Sequence, residues 1–387
     1  MTLPYGRQAI DEHDVEAVAV ALRARFLTQG PGVEAFEVAL AEAVGARYAV
    51  AFSSGTAALH AAYAVVEIGP GSEVLTSPIT FVATANASLY LGGGVRFADV
   101  DPDSALLDPN RLEDGKLDHV RAVVPVHFGG EVADLPAISA VAEARGWLVI
   151  EDASHAIGAR YRGPDGTWHR VGSCAHSEMC CFSFHPVKQL TTGEGGAVTT
   201  NDPELYRRLR RFRSHGITRE PIELEQSDGP WYYEQQMLGY NYRITDFQCA
   251  LGLSQLRRLP DFLARRRTVA ACYDARFEAV GEVTPLSRPR WSDGAHHLYV
   301  VRVPAERRLE AYETLQRQGI QPNVHYIPVY RQPFYQRHGF AGSRFAGAEA
   351  YYAGALTLPL FPAMTEADVA RVADTLTSLF AVKAGSR

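Results

Sequence analysis

Lys188 is the residue of this chain whose type and setting most suggest chemistry. It lies in a turn rich in glycine and hydroxyl groups, residues 183–196, between two β-rich runs. A lysine in a tight interior turn is suited to forming an imine, which relieves the cost of a buried ammonium and makes the nitrogen a nucleophile or a base. A single lysine in a turn is more often a solvent-facing residue. The position therefore gains meaning only together with other groups.

Asp152 is the second such residue. It follows the apolar run of residues 147–150, at the expected carboxyl end of a buried strand. Ligands of open α/β sheets bind at that edge. An acid there can hold a ring nitrogen in its protonated form, because a desolvated pair of opposite charges favours ionisation of both groups. A plain loop or helix-capping aspartate is the alternative interpretation.

The third feature is the turn Ser53-Ser54-Gly55-Thr56, between a β-rich run at residues 48–52 and a helical run at residues 57–66. Free N–H groups, the positive end of the helix dipole and nearby hydroxyls can meet one phosphate in such a turn. Serine and threonine are also common N-caps that bind no ligand. Combined with Asp152 and Lys188, in this chain order and each at a strand end, the turn completes the set that a pyridoxal phosphate enzyme needs.

Seven short β-rich runs alternate with helical segments around these residues. The runs are residues 48–52, 73–75, 95–98, 122–126, 147–150, 180–184 and 196–199. Such alternation favours an α/β fold with a large, mostly parallel sheet covered by helices. Two amphipathic helical patterns precede the runs, with apolar residues at Val15, Val18, Leu22 and Phe26 and then at Val33, Phe36, Leu40 and Val44.

A long helical pattern from Thr245 to about residue 277, broken at Pro260, separates the strand-rich part from a segment of different organisation. That segment predicts a strand at residues 297–303, a helix at 305–318, a strand near 323–326 and a closing helix at 365–380. We therefore predict a large α/β domain, residues 1–255, and a small C-terminal α+β domain, residues 256–387. The N-terminal arm could pack on the small domain.

The composition excludes several classes of protein. Hydrophobic residues make up 47% and charged residues 21% of the chain, and the formal net charge is -6. Basic residues cluster only at 207–213 and 265–267, which we interpret as faces of amphipathic helices, so nucleic acid is not an expected partner. The five cysteines form no CxxC pair and no zinc-type spacing, so a reducing, cytoplasmic location without a metal site is expected. Neither an export signal nor an apolar run of about eighteen residues is present, and no membrane association is expected.

At this point the sequence resembles the DegT/DnrJ/EryC1/StrS family of sugar aminotransferases, from about residue 5 to residue 380. The resemblance rests on Phe26-Leu27-Thr28-Gln29-Gly30-Pro31, the Ser-Gly-Thr turn, residues 80–86, Glu151-Asp152, the Lys188 segment and Gly239-Tyr240-Asn241-Tyr242-Arg243 before Thr245-Asp246. It implies the aspartate-aminotransferase-like fold, type I among pyridoxal-phosphate-dependent transferases. It also implies ping-pong transfer, in which L-glutamate leaves its nitrogen on the cofactor as pyridoxamine 5'-phosphate and a nucleotide-linked keto-sugar collects it.

The resemblance assigns expected roles to matching residues. Lys188 would hold pyridoxal 5'-phosphate and shuttle protons, and Asp152 would pair with the ring nitrogen. The remaining cofactor contacts would come from Ser54, Gly55, Thr56 and Ser183 at the phosphate, from Phe81 stacked on the ring, and from His155 near the ring hydroxyl.

Other matching residues concern the partner chain and the substrate. Asn241 would reach the phosphate of a neighbouring subunit, so the resemblance implies a homodimer with shared active sites. Thr28, His325 and Tyr326 are candidate substrate contacts. For the last two, an aromatic core strand followed by a proline turn is an equal alternative. Gln189 departs from the asparagine that the family often has after the lysine, which predicts a small change in how the lysine turn is held.

Residues 26–31, 183–196 and 229–234 most resemble the pseudaminic-acid-pathway branch of the family. Those enzymes aminate C4 of UDP-2-acetamido-2,6-dideoxy-β-L-arabino-hex-4-ulose. Other members act on GDP- or dTDP-linked 4-keto-6-deoxyhexoses, as in perosamine-type transfer, and this remains an alternative. The members of a dehydratase branch have lost the lysine. The presence of Lys188 therefore argues against a dehydratase. A non-catalytic regulatory protein on the same fold is a remote alternative, because such a protein has no reason to keep Lys188, Asp152 and the phosphate turn together.

Overall fold

The computed structural model describes residues 2–115 and 117–381. The α-helices among them are α1 (Glu12–Arg23), α2 (Pro31–Val44), α3 (Gly55–Val65), α4 (Val82–Leu89), α5 (Leu135–Arg145), α6 (Pro203–Arg213), α7 (Asp246–Phe277), α8 (Arg308–Arg317), α9 (Pro333–Tyr335), α10 (Ala346–Gly354) and α11 (Glu366–Ala381). None of the helices in this part of the chain is long and apolar enough to cross a membrane.

The strands fall mostly where the β-rich runs place them. They are β1 (Tyr48–Phe52), β2 (Glu73–Thr76), β3 (Gly94–Phe97), β4 (Val120–Val124), β5 (Leu148–Asp152), β6 (Arg160–Arg162), β7 (Trp168–Arg170), β8 (Met179–Ser183), β9 (Gly196–Thr200), β10 (Ile217–Thr218), β11 (Glu234–Gln235), β12 (Thr284–Pro285), β13 (Ser292–Asp293), β14 (Tyr299–Arg302) and β15 (Ala355–Leu358).

Seven strands form one sheet in the order β1-β9-β8-β5-β4-β2-β3. Strands β3, β2, β4, β5 and β8 pair in parallel, and β9 is antiparallel to both of its neighbours. The predicted large, mostly parallel sheet is thereby confirmed. Since parallel strands end at one edge, Asp152 at the end of β5 and Ser183 at the end of the adjacent β8 emerge on the same side.

Helix α3 packs closely against this sheet because of its amino-acid composition. Its buried side chains include many alanines, among them Ala57, Ala58, Ala61 and Ala62. Alanine is the best helix former, and its small side chain lets the helix backbone approach the strands. The start of α3, which carries the phosphate-binding candidates, is therefore held directly above the ends of β1 and β8.

The C-terminal part has its own three-stranded antiparallel sheet, β12-β14-β15, with α8 and α11 packed against it. The N-terminal arm adds to it, because the N–H of Leu3 donates to the carbonyl of Gly319 and the N–H of Gln321 donates to the carbonyl of Leu3. The long helix α7 joins both parts. Its first half packs under the large sheet through Leu256 and Leu259, whereas Tyr273 packs in the C-terminal core.

The proposed division at residues 255/256 therefore falls inside α7, and residues 382–387 of the proposed small domain lie outside the described part of the chain. Two features that the sequence predicts are wrong. The break at Pro260 is wrong: α7 runs through it, because one missing N–H is outweighed by the buried flanking residues Leu259 and Phe262. The strand near residues 323–326 is also wrong. Pro322 and Pro328 flank that segment and cannot donate to a ladder, so it forms only an isolated bridge between Asn323 and Thr357.

Candidate active site

The carboxylate of Asp152 is buried at the end of β5, with 4% of the residue exposed. Its Oδ2 accepts a 2.7 Å hydrogen bond from the Thr84 hydroxyl, and its Oδ1 accepts one of 3.1 Å from the N–H of Ser154. Among the described residues, Asp152 forms no salt bridge. A buried, oriented carboxylate without a salt-bridge partner is suited to receiving a positive charge from a ligand.

Thr84 belongs to a small hydroxyl relay on α4. Its Oγ1 lies 2.7 Å from the Oγ1 of Thr80, which lies just before the helix, and both residues are almost completely buried. The relay connects the start of α4 to the end of β5. Phe81 is the N-cap residue of the same helix, and 57% of the residue is exposed. An exposed aromatic face beside a buried carboxylate can stack on a planar ring.

Lys188 lies half-buried in the turn between β8 and β9. Burial lowers the pKa of its amine from the ordinary 10.5 to about 8, with Asp152 opposing this change and Arg266 adding to it. Near neutral pH a useful fraction of the amine is therefore uncharged, which is the reactive form of a lysine nucleophile. The charges of Asp152 and Lys188 therefore interact, as expected if the two predicted groups belong to one site.

A wall of neutral histidines faces Lys188. Burial, and then the charge of Lys188, hold the pKa of His155 and of His297 well below the ordinary value and lower that of His325 to about 3. The His155 Nδ1 accepts a 3.3 Å hydrogen bond from the N–H of Gly129. Its Nε2 therefore carries the proton and can donate to the Tyr326 hydroxyl, 3.2 Å away. His155, His325 and Tyr326, which the sequence singles out, thus meet beside Lys188.

The start of α3 forms a concave turn opposite Ser183. Ser54 is the N-cap, and its hydroxyl accepts a 3.1 Å hydrogen bond from the N–H of Ala57. The N–H groups of Gly55 and Thr56, at the first helical positions, have no acceptor within the helix. A Cβ on Gly55 would lie 2.8 Å from the Cβ of Ser183, so only glycine lets this backbone approach the end of β8. The turn offers N–H groups, a helix dipole and the Ser183 hydroxyl to one anion.

These groups fit pyridoxal phosphate on three independent counts. Asp152 supplies a buried negative charge for the ring nitrogen, Lys188 supplies an amine with a lowered pKa for the aldehyde, and the Gly55 turn supplies donors for the phosphate. Phe81 leaves a ring face free for stacking. The residues therefore match the charge and shape of each part of the cofactor.

Two predicted residues lie away from this cluster within the single chain. Thr28 is exposed and forms an isolated bridge with Thr245 at the N-cap of α7, and Asn241 is exposed and bridged to Ser214. A cavity of about 820 Å³ lies near them, and its walls include the Arg213-Ser214-His215 segment, to which the sequence assigns no role. The described contacts of Thr28 and Asn241 do not include Lys188 or Asp152.

Sequence reasoning missed three residues that hold the site, Thr84, His297 and Arg266, and named a fourth, Gln189, without its partner. Thr84 binds Asp152; the Gln189 side-chain amide donates to the carbonyl of His155; the His297 ring centroid lies 4.4 Å from that of His155; and Arg266 donates to the carbonyl of Lys188. For Thr84 a signal existed, because it lies in the segment of residues 80–86 that carries the family resemblance. Arg266 lies in a cluster interpreted as an amphipathic face, and the exposed Arg265 and Arg267 fit that interpretation whereas Arg266 does not.

The sheet topology and this arrangement of lysine, aspartate and helix start define a pyridoxal-phosphate-dependent aminotransferase of fold type I. The chain belongs to the DegT/DnrJ/EryC1/StrS aminotransferase family, whose model matches residues 8–377. It is a sugar aminotransferase, as the family and its relatives indicate.

Relatives of known name cover nearly the whole chain. The spore coat polysaccharide biosynthesis protein SpsC of Bacillus subtilis is 40% identical, over 95% of this chain and 94% of its own length. The UDP-4-amino-4,6-dideoxy-N-acetyl-beta-L-altrosamine transaminase of Campylobacter jejuni is 36% identical, over 97% of both chains. Among solved structures, Helicobacter pylori PseC, an aminotransferase involved in the biosynthesis of pseudoaminic acid, superposes with a TM-score of 0.91 at 31% identity, covering 99% of this chain and 100% of the other.

Proposed function

We propose that this enzyme moves the amino group of L-glutamate to C4 of UDP-2-acetamido-2,6-dideoxy-β-L-arabino-hex-4-ulose, with pyridoxal 5'-phosphate held by Lys188. The observation that carries the amino transfer is the pairing of a lysine of lowered pKa with the buried carboxylate of Asp152. The choice of sugar is supported by the likeness to the Campylobacter transaminases and to Helicobacter pylori PseC.

Bound pyridoxal phosphate would supply the electron sink that lets an amino group pass between two carbon skeletons. The protein's own groups do the rest. Asp152, oriented by Thr84, keeps a negative charge at the ring nitrogen. The amine of Lys188, once free, takes and returns protons at the reacting carbons, for which a pKa of about 8 is well matched to neutral pH.

Separate protein groups bind the phosphate and the ring hydroxyl of the cofactor in this proposal. The N–H groups of Gly55 and Thr56 and the hydroxyl of Ser183 hold the phosphate at the start of α3. His155, neutral because it is buried, offers its protonated Nε2 and the attached Tyr326 hydroxyl to the ring and the sugar. The Nδ1 of His325 lies 2.9 Å from the Thr357 hydroxyl, and this hydrogen bond fixes the orientation of the imidazole ring beside Lys188.

We further propose a homodimer in which Asn241 completes the phosphate site of the partner subunit. Large apolar side chains are exposed next to Asn241 in the chain, with Leu238 77% and Tyr240 38% exposed. Phe26 and Leu27, beside the start of α7, are also nearly half exposed. Large apolar side chains exposed in this way often mark protein interfaces where they form a patch. Burying them in a dimer would bring Asn241 to a second chain, as expected of a residue that lies away from Lys188 in its own chain.

An absorbance titration tests the proposal. Purified protein is mixed with pyridoxal phosphate, then with L-glutamate, then with a panel of UDP-, GDP- and dTDP-linked 4-keto-6-deoxy sugars. We expect a visible band from cofactor bound to Lys188, its loss with glutamate and its return with the UDP-linked sugar. Absence of the band after added cofactor would contradict the cofactor assignment and revive the non-catalytic alternative.

A different nucleotide sugar is the second candidate substrate. This candidate is supported by the 40% identity to SpsC, because the name of that protein refers to a spore coat polysaccharide and specifies no particular sugar. Return of the band with a GDP- or dTDP-linked sugar, and not with the UDP-linked one, would select this candidate. A deoxygenated product formed without use of glutamate would instead select the dehydratase alternative.

A further inference from the structure

Arg266, on α7, is a buried cation without an acidic partner. Only 1% of the residue is exposed, and it forms no salt bridge with any of the residues that the structure describes. Buried charges are normally paired, because removal from water is costly. The burial of this guanidinium without a carboxylate partner therefore needs an explanation.

Backbone carbonyls take the place of a carboxylate around Arg266. One terminal nitrogen donates to the carbonyls of His296, His297 and Leu360 at 3.2–3.3 Å, and the other donates to the carbonyl of Lys188 at 3.5 Å. These carbonyls come from the lysine turn, the segment before β14 and the segment after β15. One side chain thus ties three distant parts of the chain to the residue that would carry the cofactor.

Arg266 acts on Lys188 through its charge as well as through its hydrogen bond. Burial lowers the pKa of Arg266 to about 10, so the guanidinium stays charged at neutral pH. After burial and the opposing effect of Asp152, Arg266 is the group that further lowers the pKa of Lys188.

Three other titratable groups face Lys188. His155 follows β5, His297 precedes β14, and His325 follows the bridge between Asn323 and Thr357. All three have pKa values lowered by burial, so they are neutral near pH 7. Asp152 and Arg266 are therefore the two fixed charges that act on this amine, one from the end of β5 and the other from α7.

We propose that Arg266 is a positioning residue for Lys188: its guanidinium anchors the backbone of the lysine turn and sets a positive charge against the amine, which favours the uncharged form that attacks an aldehyde. The proposal rests on Lys188 being the cofactor lysine. It goes beyond that role, because it assigns the reactivity of Lys188 to a side chain that would not touch the cofactor.

The sequence makes a direct test possible, since it contains only three lysines, Lys116, Lys188 and Lys383. Cofactor-free, full-length protein is treated with formaldehyde and cyanoborohydride over a range of pH, and methylation of each lysine is followed by peptide mass spectrometry. The rate at Lys188 reports the fraction of uncharged amine. Lys116 and Lys383 serve as internal references.

Arg266→Gln and Arg266→Lys are compared with Arg265→Gln. Arg265 is the matched control, because it is the adjacent arginine on α7, also donates to backbone carbonyls, and is exposed. We expect Arg266→Gln to slow methylation of Lys188 about three- to tenfold near pH 7, as an upward pKa shift of about half a unit to one unit requires. Arg266→Lys keeps a charge and should stay close to wild type, and Arg265→Gln should not change the rate.

Equal rates for Arg266→Gln and Arg265→Gln would overturn the proposal, and so would an equal loss in Arg266→Lys and Arg266→Gln. Salt dependence of the wild type keeps the proposal testable if the variants fail to fold. At about 1 M salt surface charges are screened within about 3 Å, whereas a buried guanidinium is not. The Lys188 titration should therefore stay in place. A shift toward the ordinary lysine value would assign the effect to surface arginines. Since no cofactor is present, these outcomes do not depend on the absorbance test of the proposed function.

Discussion

The hydroxyl of Thr84 donates a 2.7 Å hydrogen bond to Oδ2 of Asp152, and both side chains are buried. The bond joins α4, which begins after the exposed ring of Phe81, to the end of β5. It fixes the carboxylate relative to the ring face that would stack on the cofactor. The geometry of the candidate site thus depends on a residue without any chemical role of its own.

Thr84→Val tests this bond, because valine has nearly the same shape but no hydroxyl. Losing one donor to a buried carboxylate should weaken cofactor binding by about 1–3 kcal/mol, which corresponds to roughly 5- to 150-fold. The measurement is a titration of cofactor-free protein with pyridoxal phosphate. Thr76→Val is the matched control, because Thr76 is also buried and donates to a carbonyl, that of Val124. Equal losses in both variants would mean that the effect is one of general stability.

Lys188→Ala should remove amino transfer almost completely, by about a thousandfold or more, because the amine that serves as nucleophile and proton carrier is lost. The measurement is product formation from glutamate and the keto-sugar. His185→Ala, an exposed residue of the same turn, is the control and should keep wild-type activity. Normal turnover by Lys188→Ala would refute the mechanism.

The lowered pKa of Lys188 predicts how the stability of the cofactor-free protein depends on pH. The amine binds protons with a pKa of about 8 when folded and 10.5 when unfolded. Burial of the charged form therefore penalises the folded state below about pH 8, and the penalty disappears as the pH rises toward 10.5. Lys188→Met should accordingly be more stable than wild type near neutral pH, by up to about 3 kcal/mol, and lose that advantage at high pH. Denaturant unfolding across this range measures the difference, and a flat difference would contradict the pKa.

Gly55→Ala should block the phosphate turn, because its Cβ would lie 2.8 Å from the Cβ of Ser183 and push the two segments apart. We expect at least about a tenfold loss of affinity for pyridoxal phosphate, corresponding to about 1.4 kcal/mol or more. Affinity for pyridoxal, which lacks the phosphate, should change much less. Gly281→Ala is the control, since its Cβ would point into open space. A similar loss for both ligands would place the phosphate elsewhere.

The homodimer proposal predicts complementation between two inactive variants. Asn241→Ala lacks the contact to the partner's phosphate, and Lys188→Ala lacks the amine. A mixed dimer has one site with an intact Lys188 and an intact Asn241, so random mixing should restore about a quarter of wild-type activity. The measurement is activity after the two proteins are unfolded and refolded together. Activity equal to the sum of the separate variants would show that each site belongs to one chain.

The amino-acid sequence was sufficient for the features that depend on local pattern. The seven strands of the large sheet follow from short β-branched and apolar runs, and the positions of Asp152, Lys188 and the Gly55 turn follow from where those runs end. Because parallel strands must end at one edge, the sequence also predicts that these residues lie close together. Helix α3 begins where Ser54 can cap it, which a sequence pattern can show.

Tertiary structure alone decided which side chains meet across the chain. Thr84 and Asp152 are 68 residues apart, and Arg266 reaches Lys188 from 78 residues away, so no local periodicity reveals either contact. Pro260 stays helical because packing on both sides of α7 outweighs one lost hydrogen bond. Arg266 was indistinguishable from its exposed neighbours in sequence, because burial is a property of what surrounds a residue. The reactivity of Lys188 is set by such surroundings, and therefore by the folded protein.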